Sequence, residues 1–121
     1  MQVKHTLVLG ASENTERYAN KAVRSLLEHG HLVTAVGKRV GSINGTPIHT
    51  SIPSTVVFDT VTIYLGERNQ EQWEQLILQL APKRIIFNPG AENPDFARKA
   101  EEQGIEVLEA CTLVMLGTGQ Y

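Results

Sequence analysis

With 121 residues, 41% of them hydrophobic and 20% charged, the chain has the size and composition of one domain, residues 1–121, that buries a single core without staples. A net charge of -2 and a single cysteine argue against a general nucleic-acid binder, which needs a basic face, and exclude an internal disulfide. The N-terminus carries no signal-peptide apolar stretch and no apolar run reaches membrane-spanning length, so a cytoplasmic protein with no membrane partner is expected.

The first predicted element is the strand His5-Thr6-Leu7-Val8-Leu9, which runs into Gly10-Ala11-Ser12. An amphipathic helix is predicted from Thr15, a suitable N-cap, with Ala19, Ala22, Val23, Leu26 and Leu27 on one buried stripe and Gly30 as its left-handed stop. Leu32 to Val36 reads as a second strand delivering Gly37-Lys38-Arg39. Residues 37–55, rich in Gly, Ser, Thr and Pro, read as loop with at most one helical turn. From Asp59 to Leu65 an alternation of Val61, Ile63 and Leu65 with Thr62 and Tyr64 predicts the third strand.

Asn69 is positioned to cap the next helix, and Gln72 three residues on completes a capping-box pattern. Its expected buried stripe is Trp73, Leu76, Ile77 and Leu80, with Pro82 marking the end. Arg84 to Phe87 makes the fourth strand. Asn93-Pro94-Asp95 then combines a cap, a first-turn proline and an acid at the positive end of the dipole. Phe96, Ala97 and Ala100 form that helix's inner face, Gly104 stops it, and Ile105 to Leu108 is the fifth strand, followed by a short tail from Cys111.

Strands alternating with helices imply an α/β domain with parallel strands and helices on both faces. The expected architecture is a Rossmann-like, doubly wound five-stranded parallel sheet in order 3-2-1-4-5, a three-layer α/β/α sandwich. Ligands of such sheets sit beyond the carboxyl ends of the strands, where the strand order reverses. Here those ends carry Gly10 to Glu16, Gly37 to Arg39, Leu65 to Arg68 and Asn88 to Glu92. A strand–glycine–helix start offers backbone N–H groups and a helix dipole to phosphate. Where an NAD site usually places an acid for the ribose hydroxyls, this chain has Lys38 and Arg39, which suit an additional phosphate.

The same residues resemble the small bacterial CoA-binding-domain proteins, related to the N-terminal domain of succinyl-CoA synthetase alpha subunits. The resemblance spans the chain. It rests on Val8 to Ser12 with Arg17-Tyr18, on Glu28 to His31 leading into Val33 to Lys38, on Ile43-Asn44-Gly45, on Asn88 to Asn93, on Glu102 to Val107, and on Cys111. Ala35-Val36-Gly37-Lys38 stands where family members commonly read Pro-Val-Asn-Pro; the lysine keeps a positive charge there. The resemblance implies a domain binding CoA or an acyl-CoA, without the segment that performs chemistry in the full synthetase.

Cofactor-binding candidates follow, each with a plainer alternative. Gly10, Ala11 and Ser12 would meet the pyrophosphate, although any tight strand-to-helix turn favours Gly and Ser. Arg17 offers a planar phosphate contact, or is a solvated surface arginine. Gly37, Lys38 and Arg39 would take a ribose-bound phosphate, or are loop charge. Asn88 and Gly90 would form the opposite lip, or a plain turn before the Asn93 cap, and Gly66 is a further candidate at the end of the third strand. Tyr18 flanks the ligand or staples its helix. Cys111, among Leu and Val, reads as packing rather than a reactive thiol. No catalytic constellation and no metal-ligand spacing occurs among the four histidines. Two alternatives stay open: an NADP-binding, reductase-like protein using Lys38 and Arg39 for the 2′-phosphate, and an interaction module of the same fold without ligand. A protein partner or a homodimer is compatible with either.

Overall fold

The computed structural model describes residues 3–121. In chain order it contains β1 (His5–Leu9), α1 (Tyr18–Glu28), β2 (Leu32–Val36), β3 (Gly41–Ile43), β4 (Thr46–His49), β5 (Thr60–Ile63), α2 (Glu67–Leu80), β6 (Arg84–Phe87), α3 (Pro94–Glu102), β7 (Glu106–Glu109) and α4 (Thr112–Gly117). The strands form one sheet in the order β3-β4-β2-β1-β5-β6-β7. All pairs are parallel except β3 with β4. The α/β, Rossmann-like class expected from the alternation of elements is the one observed.

Two details of the sheet differ from expectation, and one cause explains both. The Gly/Ser/Thr/Pro-rich stretch is not a plain loop: it holds the hairpin β3–β4. Asn44 and Gly45 turn it with φ +47° and +84°, the pair of left-handed residues that a type I′ hairpin requires. Ile43 and Ile48 are buried beneath it. β4 then pairs with β2 through Ala35↔Ile48 and Val36↔His49, taking the place assigned to the segment 59–65. That segment, as β5, lies on the other side of β1, registered Thr6↔Thr60 through Leu9↔Ile63. The sheet has seven strands, and with β4 in third place the parallel strands run 3-2-1-4-5-6. The order reverses between β1 and β5, and those two strand ends define the crevice.

Strand alternation divides the core between two faces. Leu7, Leu9, Val61, Ile63, Ile85 and Phe87 pack with Ile77 of α2 and with Phe96 and Ala100 of α3. Val8 and Ala35 pack with Ala19, Val23 and Leu26 of α1 and Leu116 of α4. The tail is thus a helix and not a loop. It covers a polar stripe in which the Asn88 amide donates to Thr62 Oγ1 (2.6 Å) and to the Ile63 carbonyl (2.9 Å), and accepts from the Thr112 N–H (2.9 Å).

Helix starts were legible where a side chain caps them. Asn93 Oδ1 accepts from the Phe96 N–H at 3.2 Å, as expected. The other two starts are corrections. α1 begins at Tyr18 with Arg17 as its N-cap, and α2 begins at Glu67 with Gly66 as N-cap; neither cap makes a side-chain hydrogen bond. Thr15 and Asn69 therefore do not cap. Of α2's expected stripe, Ile77 is fully buried, while Trp73, Leu76 and Leu80 are half-buried against the core.

Candidate functional site

Because α1 starts three residues later than Thr15, an eight-residue loop, 10–17, separates it from β1. Its conformation is held from beneath. Buried Asn20 donates to the Ser12 carbonyl (2.9 Å), and Arg24 Nε donates back to Asn20 Oδ1 (2.8 Å) while its guanidinium also reaches the Thr15 carbonyl (3.1 Å). Arg24 is thus a strut of this loop. Ser12 Oγ accepts from the Asn14 N–H (3.1 Å), and Glu13 Oε2 accepts from the Ser42 N–H of β3 (3.0 Å), tying hairpin to loop.

The first N–H groups of the loop are already committed. Gly10 and Ala11 both donate to the Val36 carbonyl at the end of β2, at 2.8 and 2.9 Å. Gly10 has φ +102°, and a Cβ there would lie 3.1 Å from the Tyr64 backbone, so its place is set by packing between strand ends. The next two N–H groups, of Ser12 and Glu13, have no protein partner among the described residues. Gly37 completes the junction: its N–H donates to the His49 carbonyl (2.9 Å), and a Cβ on it would collide with the Ala11 carbonyl oxygen. The glycine seats one loop against the other.

Above this junction opens a crevice of about 910 Å³. Its floor is the β1 loop, Gly10 to Asn14 with Arg17. One wall is Gly37, Lys38, Arg39 and Val40 with Thr50; the other is Tyr64, Leu65 and Gly66 with Asn69, Gln72 and Trp73 of α2. Three cations, Arg17, Lys38 and Arg39, thus share a cleft with two free backbone donors, a combination suited to phosphate oxygens. Burial drives the Tyr64 hydroxyl's pKa well above its ordinary value.

Of the expected residues, Gly10, Ala11, Ser12, Arg17, Gly37, Lys38, Arg39 and Gly66 line this crevice. Three do not. Tyr18 is 67% exposed on the outer side of α1, with Lys21 Nζ 5.0 Å above its ring. Asn88 is buried as the bolt under α4 described above, with its carboxamide fully engaged. Gly90 sits in an exposed turn closed by its own N–H donating to Glu92 Oε1 (3.0 Å). Asn69, Gln72 and Trp73 were read as cap and core; starting α2 at Glu67 puts them at i, i+3 and i+4, on one face beside the strand ends. Half-buried Cys111 precedes α4 and does not line the crevice. No group of three His, Cys, Asp or Glu suited to a metal occurs among the described residues.

Comparison with known proteins decides the lineage. Residues 4–117 match the family described as the CoA binding domain. The chain belongs to this CoA-binding-domain family. A solved structure described only as an uncharacterized protein is 43% identical and superposes with a TM-score of 0.96 over 100% of both chains. A Thermus thermophilus protein, 23% identical, covers 98% of this chain and 91% of its own with a TM-score of 0.86. The acetyl-coenzyme A synthetase 1 of Ca. Korarchaeum cryptofilum, solved with phosphate and ADP, is 18% identical. It aligns over 88% of this chain and 25% of its own at a TM-score of 0.72. These last two likenesses concern the fold. A comparison with curated protein sequences gives no match. No helix of the CoA-binding domain, among the described residues, is long and apolar enough to cross a membrane.

Proposed function

We propose that the chain binds CoA or an acyl-CoA in the crevice at the ends of β1, β2 and β5, as a binding domain that does not perform chemistry alone. The observation that carries this reading is the convergence, in one cleft, of two unpartnered N–H groups (Ser12, Glu13) with Arg17, Lys38 and Arg39. The pyrophosphate lies on the β1 loop, where the N–H groups and Arg17 meet it. The ribose 3′-phosphate lies at Lys38 and Arg39, and Gly66 leaves the facing lip open, since a Cβ there would meet nothing within 4 Å. The ionisable groups lining the cleft are Glu13, Arg17, Lys38, Arg39 and Tyr64. Glu13 is engaged by the Ser42 N–H and Tyr64 is held neutral by burial, which supports binding over catalysis.

NADP carries a comparable extra phosphate on its ribose, so a ligand panel is the test. A ligand that binds only the native state raises the melting temperature. CoA should raise it more than dephospho-CoA or NAD. Equal shifts from CoA and dephospho-CoA would remove the role given to Lys38 and Arg39, and a shift confined to NADP would replace the CoA reading.

A further inference from the structure

The α2 wall of the crevice has no part in phosphate binding: it offers an indole and two carboxamides. Trp73 is half-buried, packs against the core under α2 and still lines the crevice. Asn69 and Gln72, four and one residues before it on α2, are exposed and line it too. Neither carboxamide has a side-chain hydrogen bond among the described residues, whereas buried Gln70 between them is fully engaged, donating to the Leu65 and Ala91 carbonyls at 2.8 and 2.7 Å and accepting from Asn93 at 3.0 Å. On the opposite wall stands Val40, 77% exposed although apolar. The sheet order places the phosphate-binding loop of β1 between these two walls.

We infer that Trp73 is the stacking platform for the purine base of the bound nucleotide, with Val40 on the far wall and the Asn69 and Gln72 carboxamides meeting the base's polar edge. This rests on the CoA reading and deepens it by naming what holds the adenine. The physical case is a matter of reach and chemistry. The base is joined to the same ribose as the phosphate assigned to Lys38 and Arg39, so it must lie within the crevice that those residues flank. A flat aromatic surface is the complement of a purine face, and carboxamides both donate and accept, as an adenine edge requires. No residue of the β6 end lines the crevice, so the groups available to the nucleotide come from the ends of β1, β2 and β5 and from α2.

Trp73 is the only tryptophan, so its fluorescence reports on this wall alone. Adenosine 3′,5′-bisphosphate should quench it as CoA does, while 4′-phosphopantetheine, which lacks the base, should not. By calorimetry, Trp73→Ala should weaken CoA binding about tenfold or more, the scale of one lost base–aromatic stack, and Trp73→Phe should recover most of it. Unchanged CoA affinity in folded Trp73→Ala, or quenching by 4′-phosphopantetheine alone, would overturn the platform while leaving CoA binding intact. Failure of the unmodified protein to bind CoA at all would remove the parent reading and this one together.

Discussion

The most demanding single position in the molecule is Gly37. Its N–H serves the His49 carbonyl, its neighbour Val36 accepts from both Gly10 and Ala11, and its missing Cβ is the space occupied by the Ala11 carbonyl oxygen. The β1 and β2 loops can meet only while that space is empty, and the oxygen in question is backbone, which has no rotamer into which to retreat. Gly37→Ala should therefore destabilise the fold by about 1–3 kcal/mol, the range for forced overpacking, and widen the crevice floor. The measurement is the denaturant midpoint. A midpoint equal to that of the unmodified protein would mean that the loops are not seated as described. At the same scale Asn20 and Arg24 show how a helix interior supports a site: neither touches the crevice, yet both hold the loop that forms its floor.

At the scale of elements, what was legible in the sequence depended on whether a local signal was strong enough to stand without tertiary context. α3 was readable because Asn93, Pro94 and Asp95 coincide at its start, and the structure gives the cap its hydrogen bond. β6 was readable as Arg84 to Phe87 because a short apolar run lies between a proline and a turn. The hairpin was not, since β3 and β4 are three and four residues long and their composition is that of a loop. Its Asn44-Gly45 turn was the one readable mark, and it becomes decisive only when Ile43 and Ile48 are seen to bury together. The starts of α1 and α2 escaped because their caps act through backbone alone. That error carried into the site: with Asn69 taken as a cap, the Asn69, Gln72 and Trp73 face of α2 was hidden. The crevice residues at the ends of β1 and β2 were legible because they depend on residue identity at strand ends, which the sequence displays directly. Asn88 and Gly90 were misplaced for the opposite reason, since nothing in the sequence reveals that α4 folds back over Asn88.

At the scale of the whole molecule, the crevice at one edge of the sheet is balanced by a clasp at the other. Tyr121 returns to the amino ends of the strands, where its hydroxyl meets Thr6 Oγ1, the Arg84 guanidinium lies 4.3 Å above its ring, and the His31 ring packs tilted against it at 5.1 Å between centroids. His31 Nδ1 accepts from the Lys4 N–H at 3.1 Å, which requires the neutral ring. Burial, with the charges of Lys4, His29 and Arg84, holds the His31 pKa below its ordinary 6.5, against a smaller opposing pull from Asp59, and burial lowers His5 likewise. The unfolded chain then takes up these protons first as pH falls. The stability from both groups is complete above about pH 6.5 and is lost as pH drops below it toward the folded values. The urea midpoint should therefore fall between about pH 7.5 and about pH 5.5, and fall less in a His5→Asn, His31→Asn variant. An equal fall in both proteins would place the acid sensitivity elsewhere.

The binding proposed at the crevice draws on the same architecture, because the strand order that makes β1 and β5 the switch point also sets Lys38 and Arg39 in one cleft with the free Ser12 and Glu13 N–H groups. The cations are exposed, so removing them should leave the fold intact and change only what the cleft can read. The most direct test is the ratio of dephospho-CoA to CoA dissociation constants, measured by calorimetry for the unmodified protein and for Lys38→Ala, Arg39→Ala. In the unmodified protein the ratio should be about tenfold or more, a difference of about 1.4 kcal/mol for the one phosphate. In the variant it should fall close to one. A ratio that survives the double substitution would contradict the assignment of the 3′-phosphate to these two residues, and with it the placement of the nucleotide in this crevice.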